Sequence, residues 1–215
     1  LKIADKILIK LSPMLDIKML LREFPECDKI HIVATENECK EILLEIDTRT
    51  PITENRIYKT INIKKKEAEI FEFSEETEAK ALLLLGTPEE GDFLYEPNAA
   101  ILKAGGYKLV AQRFGLHKLD VNTHLYASNQ LIENFPGRIF KALPFTGEEL
   151  CSIEGPVDVR RRLMGVGPQA NILCRNYPLT PEQLKKKLHL RDGGTAYVIG
   201  CRVAGKPTLF YAERV

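Results

Sequence analysis

The chain has 215 residues, 44% hydrophobic and 28% charged, with a net charge of +1, the composition of a folded protein with room for one large domain or two small ones. It holds no run of about 18 apolar residues and no uninterrupted apolar core behind its first residues, so neither a membrane-spanning helix nor a signal peptide is expected, and a cytoplasmic location is. The five cysteines (Cys27, Cys39, Cys151, Cys174, Cys201) make no CxxC pair, and His31, His117, His124 and His189 follow no ligand spacing; a reducing compartment and no metal site are expected. The charge is uneven. From residue 151 onward eleven Lys or Arg stand against five Asp or Glu, net +6, and the preceding residues carry net −5. A basic C-terminal segment on a mildly acidic chain points to a polyanionic partner, although the same excess also serves as a solubilising surface.

Residue 1 is Leu and the chain enters a strand almost at once, which reads as a piece of a longer protein or a processed form. Residues 3–11 (IADKILIKL) are nearly continuous in apolar side chains, as a parallel strand covered on both faces would be. Ser12-Pro13 ends that strand, and residues 14–24 read as a short helix. Residues 29–35 (KIHIVAT) are a second strand, and Asn37 is placed to cap a helix over 38–46 with acids in its first turn. Strand, helix, strand, helix is the α/β alternation of a doubly wound sheet, here a piece of one. Ligands of such sheets bind beyond the carboxyl ends of strands. Ser12, Pro13, Asp16, Asn37 and Glu38 are therefore the candidate edge of a site, and they also read as ordinary strand-to-helix turns with caps.

After a polar linker at 47–55, residues 57–63 and 68–73 alternate with period two around Lys64-Lys65-Lys66-Glu67, the pattern of a hairpin with a charged turn. Residues 74 to 85 read as a short helix capped by Ser74, and 86–92 as a loop. The clearest architecture lies in 95–128. Pro97 suits the first position of a helix. Ala99, Ala100, Ile101, Leu102 and Ala104 make a small apolar surface, Gly105-Gly106 interrupts it, and a second stripe runs through Tyr107, Leu109, Val110, Ala111 and Phe114 until Gly115 stops it. These small residues suggest a helix packed close to a sheet, with Lys103, Lys108 and Arg113 either solvated or free for a partner. Strands follow at 123–126 and, after Phe135-Pro136-Gly137, at 138–143.

The last part reads as a compact, basic β-α-β-β unit. A strand covers 170–174. Thr180 caps a helix with Pro181 first and Glu182-Gln183 in its first turn, Leu184 and Leu188 inward and Lys185-Lys186-Lys187 outward. Residues 195–204 and 208–213 close it as a hairpin around Gly205-Lys206. Arg160, Arg161, Arg162, Arg175, Lys185, Lys186, Lys187 and Arg191 are the candidates for phosphate contact, which binds nucleic acid without reading sequence; a charge run is also often a plain solvated face. Tyr177 either stacks a base or sits in a packed turn. No nucleotide-binding glycine loop is present: Gly105-Gly106 lies inside a helical pattern and Gly165-x-Gly167 precedes Pro168. No nucleophile–base pair is evident, and no residue of the chain is assigned a catalytic role.

The segments IKLSPMLDI, VATENECKE, LYEPNAAILKAGGYKLVAQRFGLHKLDVNTHLYAS, FPGRIFKA and ANILCRNYPLTPEQLKKKLHLRDGGTAY resemble a family of bacterial S-adenosylmethionine-dependent methyltransferase-like proteins. Its members carry a class I methyltransferase domain, then a ferredoxin-like domain, then a THUMP-like domain. The resemblance implies an α/β remnant followed by α+β: a partial Rossmann-like methyltransferase sheet over 1–46, a ferredoxin-like domain over 57–148, and a small THUMP-like β-α-β-β domain over 150–215. The family's cofactor-binding glycine loop and acidic-proline catalytic loop would lie before residue 1. S-adenosylmethionine is thus implied for the full-length protein, and none for this chain alone. An RNA partner, tRNA or rRNA, is implied as well. The role expected is the substrate-recruiting C-terminal part of an RNA methyltransferase. The alternative is a protein-interaction or structural module of a methyltransferase with another substrate.

Overall fold

The computed structural model of the protein describes residues 4–53, 55–89, 91–143 and 169–215. Arg160, Arg161 and Arg162 lie outside the described residues. Two units can be separated, one made of Leu1–Leu82 with Pro97–Arg113, the other of Leu83–Glu96 with Phe114–Val215.

The first unit is built on a five-stranded sheet of order β1-β3-β2-β4-β5. Its strands are β1 (Lys6–Leu11), β2 (Lys29–Thr35), β3 (Glu38–Asp47), β4 (Ile57–Ile63) and β5 (Ala68–Ser74). Only β2 and β4 run parallel; β1/β3, β2/β3 and β4/β5 are antiparallel. Alternate side chains on the central strands are buried: Ile30, Ile32 and Ala34, then Ile42, Leu44 and Ile46. This is the period-two pattern of a sheet with one covered face. Helix α1 (Ile17–Glu23) buries Ile17, Leu20 and Leu21, and α3 (Ala99–Ala104) packs on β2, β3 and β4.

The helix expected over 38–46 is a strand. Glu36 and Asn37 both adopt positive φ, 48° and 66°, as a two-residue hairpin turn requires. That turn folds β3 back along β2, and Ile42, Leu44 and Ile46 alternate with the partly exposed Glu41, Leu43 and Glu45. Residues 4–47 are thus β-α-β-β, with β3 antiparallel between β1 and β2, in place of the expected strand-helix-strand-helix order. β1 is also not covered on both faces, since Leu8 is 62% exposed.

Two shorter expectations change as well. The helix from Ser74 ends at Lys80 (α2, Glu75–Lys80), held by a capping box between Ser74 and Thr77. Pro97 ends a strand, and Asn98 is the residue that caps α3, its side chain accepting from Ile101 N. Gly105 closes α3 in the left-handed region at φ 83°, and α4 (Tyr107–Phe114) follows. The close packing expected at the glycine pair is present, because a Cβ on Gly106 would lie 2.9 Å from the Phe73 ring. Glu78 of α2 caps α4 from outside, its two carboxylate oxygens accepting from the Lys108 and Leu109 backbone N–H at 2.8 Å each.

The second unit is a seven-stranded sheet of order β10-β11-β12-β9-β6-β8-β7. The strands are β6 (Phe93–Pro97), β7 (His117–Asp120), β8 (Thr123–Ser128), β9 (Gly137–Leu143), β10 (Asn171–Arg175), β11 (Ala196–Val203) and β12 (Lys206–Arg214). The basic β-α-β-β stretch does not stand alone in it: β12 pairs antiparallel with β9, from Tyr211↔Leu143 to Arg214↔Phe140. The sheet curls until its ends approach. Ala204 N donates to the Leu119 carbonyl at 3.0 Å, which brings the β11–β12 turn onto β7. The curl encloses Leu94, Leu119, Leu125, Phe140, Leu173, Ile199 and Phe210. A second apolar cluster sets Leu184 and Leu188 of α5 (Pro181–Leu188) against Val198, Leu209 and Tyr211.

Gly137 opens β9 where it meets β6, and a Cβ there would lie 2.1 Å from the Glu96 carbonyl oxygen. Backbone cannot yield as a flexible side chain can. Gly137→Ala is therefore expected to destabilise the fold by about 2–4 kcal/mol, the range of severe overpacking. A lowered denaturant midpoint with an unchanged m-value would show it, and an unaltered midpoint would refute it.

Candidate nucleic-acid interface

Helix α5 starts from strong local signals. Thr180 and Gln183 form a reciprocal capping box, and Pro181 occupies the first turn, where its missing N–H costs nothing. Lys185, Lys186 and Lys187 fall in the last turn, where cations oppose the helix dipole. Burial of Leu184 and Leu188 fixes how the helix is turned and divides the lysines. Lys185 is partly covered and pairs with Asp192, Nζ to Oδ2 2.6 Å. Lys186, Lys187 and, beyond the helix, Arg191 are exposed. Arg191 bridges Gln169, two residues before β10, and its carbonyl accepts from Ala170 N at 3.0 Å.

Arg175 lies at the other end of β10. Six residue steps separate it from Gln169, roughly 20 Å of strand, so the basic candidates form two patches. Arg175 is also engaged: its Nε donates to Glu96 Oε1 at 2.7 Å and its Nη1 to the Cys174 carbonyl at 3.0 Å. Tyr177 lies in a packed turn. A Cβ on Gly200 of β11 would come within 2.9 Å of its ring, and it packs with Leu179 against the α5 side of the sheet.

Glu96 and Arg138 were not among the sequence candidates. Glu96 is 1% exposed, and its second oxygen accepts from Arg138 Nε at 2.6 Å. The two arginine side chains remain partly exposed, 23% for Arg138 and 37% for Arg175. His124 stands in the same neighbourhood. Burial holds its pKa down to about 4, and Lys118 and Arg175 add to the effect. The one available signal in the sequence was an acid inside the short apolar strand FLYEP, in which Leu94, Tyr95 and Pro97 are buried beside it.

Three of the five candidates of the first unit, Ser12, Asp16 and Asn37, accept from backbone N–H groups. Ser12 Oγ accepts from Met14 N at 3.3 Å, and Asp16 caps α1 by accepting from Met19 N at 3.0 Å. Pro13 is partly covered in the same turn. Asn37 N donates to Asn62 Oδ1 at 2.9 Å, and Asn37 Oδ1 accepts from Ala99 N at 2.7 Å. Glu38 is exposed and pairs with Lys40 at 2.8 Å. The two turns share one end of the sheet, but β1 stops opposite Ile42 while β2 runs on to Glu38. Asn37 joins a buried network: Asn62 Nδ2 and Asn98 Nδ2 both donate to Glu69 Oε2, at 2.8 and 3.0 Å, and Lys64 pairs with Glu69. Gly105 and Gly106 serve a helix cap and a close contact.

Among the described residues no helix is long and apolar enough to cross a membrane. Residues 93–136 match a family model for a ferredoxin-like domain, and residues 156–214 match one for a THUMP domain-like family. A crystal structure described as "putative methyltransferase from Porphyromonas gingivalis W83" matches with a TM-score of 0.85 and 33% identity, over 98% of this chain and 51% of that one. The chain thus spans about half the length of the P. gingivalis protein. No curated protein matches it.

Removing the Glu96 carboxylate leaves two guanidiniums facing each other, and breaking a buried ion pair costs about 3–5 kcal/mol. Glu96→Ala should lose close to the lower figure, since both arginines reach solvent; a loss near zero in denaturant unfolding would show the triad to be dispensable. His124 supplies a pH test. Its folded pKa lies below the ordinary value of about 6.5, so between pH ~6.5 and ~4 the unfolded chain binds more protons and stability falls as pH falls. His124→Gln should flatten that part of the stability–pH curve.

Proposed function

We propose that this chain is the RNA-recruiting part of a methyltransferase and that it holds RNA by its phosphates. The observation that carries the reading is the exposed set Lys186, Lys187 and Arg191 at the end of α5, inside the stretch that matches the THUMP domain-like family. Cations on a surface contact phosphates irrespective of base, so they recruit RNA without choosing a sequence. The similarity to a structure described as a methyltransferase supports the enzymatic context. In this reading residues 150–215 grip the RNA, residues 57–148 set its distance from the reacting centre, and the longer protein is cytoplasmic. S-adenosylmethionine supplies the methyl group elsewhere in that protein, and no residue of this chain is assigned to it. The RNA is taken to be tRNA or rRNA.

One observation favours the second reading, a protein-interaction module. Leu8, Met14, Leu15 and Met19 are 62%, 87%, 41% and 61% exposed, a concentration of bare apolar side chains of the kind that protein interfaces use.

A bulk tRNA pool titrated across a salt series separates the two. The RNA reading expects binding on the order of 10⁻⁴–10⁻⁶ M that weakens steeply with salt. Lys186→Ala with Lys187→Ala should lower the slope of log K against log salt by about one for each phosphate no longer held. No binding at low salt would remove the RNA reading and leave the apolar segment as the guide.

A further inference from the structure

Arg138 and Arg175 come from strands far apart in sequence, yet both grip one carboxylate. Arg175 lies 79 residues from Glu96 and Arg138 lies 42. A single bidentate arginine would neutralise Glu96; the second leaves the triad with a net positive charge. Each guanidinium carries five N–H donors, more than Glu96 and the Cys174 carbonyl take up in the hydrogen bonds described above. Both arginine side chains are partly exposed while the Glu96 side chain is not. Lys118 adds another cation; it is 2% exposed and donates to the Val121 carbonyl. Thr123 Oγ1 and Asn176 Nδ2, 3.3 Å apart, lie on the same rim. An arginine held in place by a buried acid has already lost the rotamer freedom that a free lysine must give up on binding.

We propose that Arg138 and Arg175, clamped by Glu96 at the rim of the seven-stranded sheet, form a preorganised niche for one phosphate group. Its filling by a backbone phosphate of RNA rests on the reading above; a phosphomonoester offers the same chemistry. The niche is distinct from the exposed α5 patch, which lies at the opposite end of β10. It therefore anchors a bound strand at a second point, and the two contributions should be nearly additive.

His124 reports on the niche without being needed by it. Among the described residues the charged groups acting on its ring, Lys118 and Arg175, are both cations, so an anion bound among them raises its pKa and moves its ring resonances. The experiment follows the His124 imidazole signals of the full chain by NMR with inorganic phosphate and with a short 5′-hydroxyl oligoribonucleotide, which carries phosphodiesters alone. In parallel, oligoribonucleotide affinity is measured across a salt series for the native chain, Arg175→Gln, and Lys186→Ala with Lys187→Ala. Expected are a His124 shift with both probes, about tenfold weaker binding for Arg175→Gln, and a salt slope reduced by about one. If phosphate and oligoribonucleotide both leave His124 unmoved, or if Arg175→Gln binds as the native chain does, the niche is overturned while the α5 patch and the RNA reading can stand. A shift with phosphate but no oligoribonucleotide binding keeps the niche for a phosphomonoester and removes the RNA reading. Should Arg175→Gln fail to fold, the native chain's phosphate titration decides alone.

Discussion

A buried carboxylate is tolerable only when charge and hydrogen bonds surround it, and in the seven-stranded unit that constraint acts at Glu96. Each oxygen takes a guanidinium, from Arg138 at the head of β9 and Arg175 at the tail of β10. Three strands are thereby tied at one rim. The backbone reinforces the tie, because β9 begins on a glycine pressed against the Glu96 carbonyl. Below that rim the curled sheet closes over Leu94, Phe140, Ile199 and Phe210. The net positive charge left over at the rim is what makes a structural device usable for binding.

The first unit solves a similar problem with neutral groups. Asn37, Asn62 and Asn98 gather around Glu69 and Lys64, and between them they satisfy the start of α3 and the β2–β3 turn. Glu78 does the same for α4, its carboxylate facing the two backbone N–H groups of Lys108 and Leu109, where the helix dipole favours a negative charge. Side chains that look like candidate ligands in the sequence are here the means of closing helix ends. Lys186, Lys187 and Arg191 of the second unit face solvent instead.

The family comparisons and the charge distribution bear on that surface from different sides. The THUMP domain-like match spans 156–214, and the basic excess falls in the same stretch. Burial then separates cations that occupy structural positions, Arg175 with Glu96 and Lys185 with Asp192, from Lys186, Lys187 and Arg191, which face solvent.

Where local chemistry decided, the sequence alone was enough. Thr180-Pro181 with Gln183, and Leu184 with Leu188, specify α5 because a capping box and an i, i+4 apolar pair act within a few residues. The 57–73 hairpin was legible for the same reason, its alternation being a property of the strands themselves. The basic character of the C-terminal segment needs no fold at all. Residues 38–46 were not legible: Glu-Cys-Lys-Glu-Ile-Leu-Leu carries acids where a helix start would, and only pairing on both sides, with β1 and β2, makes it a strand. Nor could the sequence separate one cation from another. Arg175 and Arg191 are alike on paper, and their difference comes from Glu96, far away in the chain and brought beside one of them. Charge can be counted residue by residue, but the partner that holds it is chosen by long-range packing, and so only the tertiary structure decided which positive charges are clamped by a buried acid and which stand free in solvent.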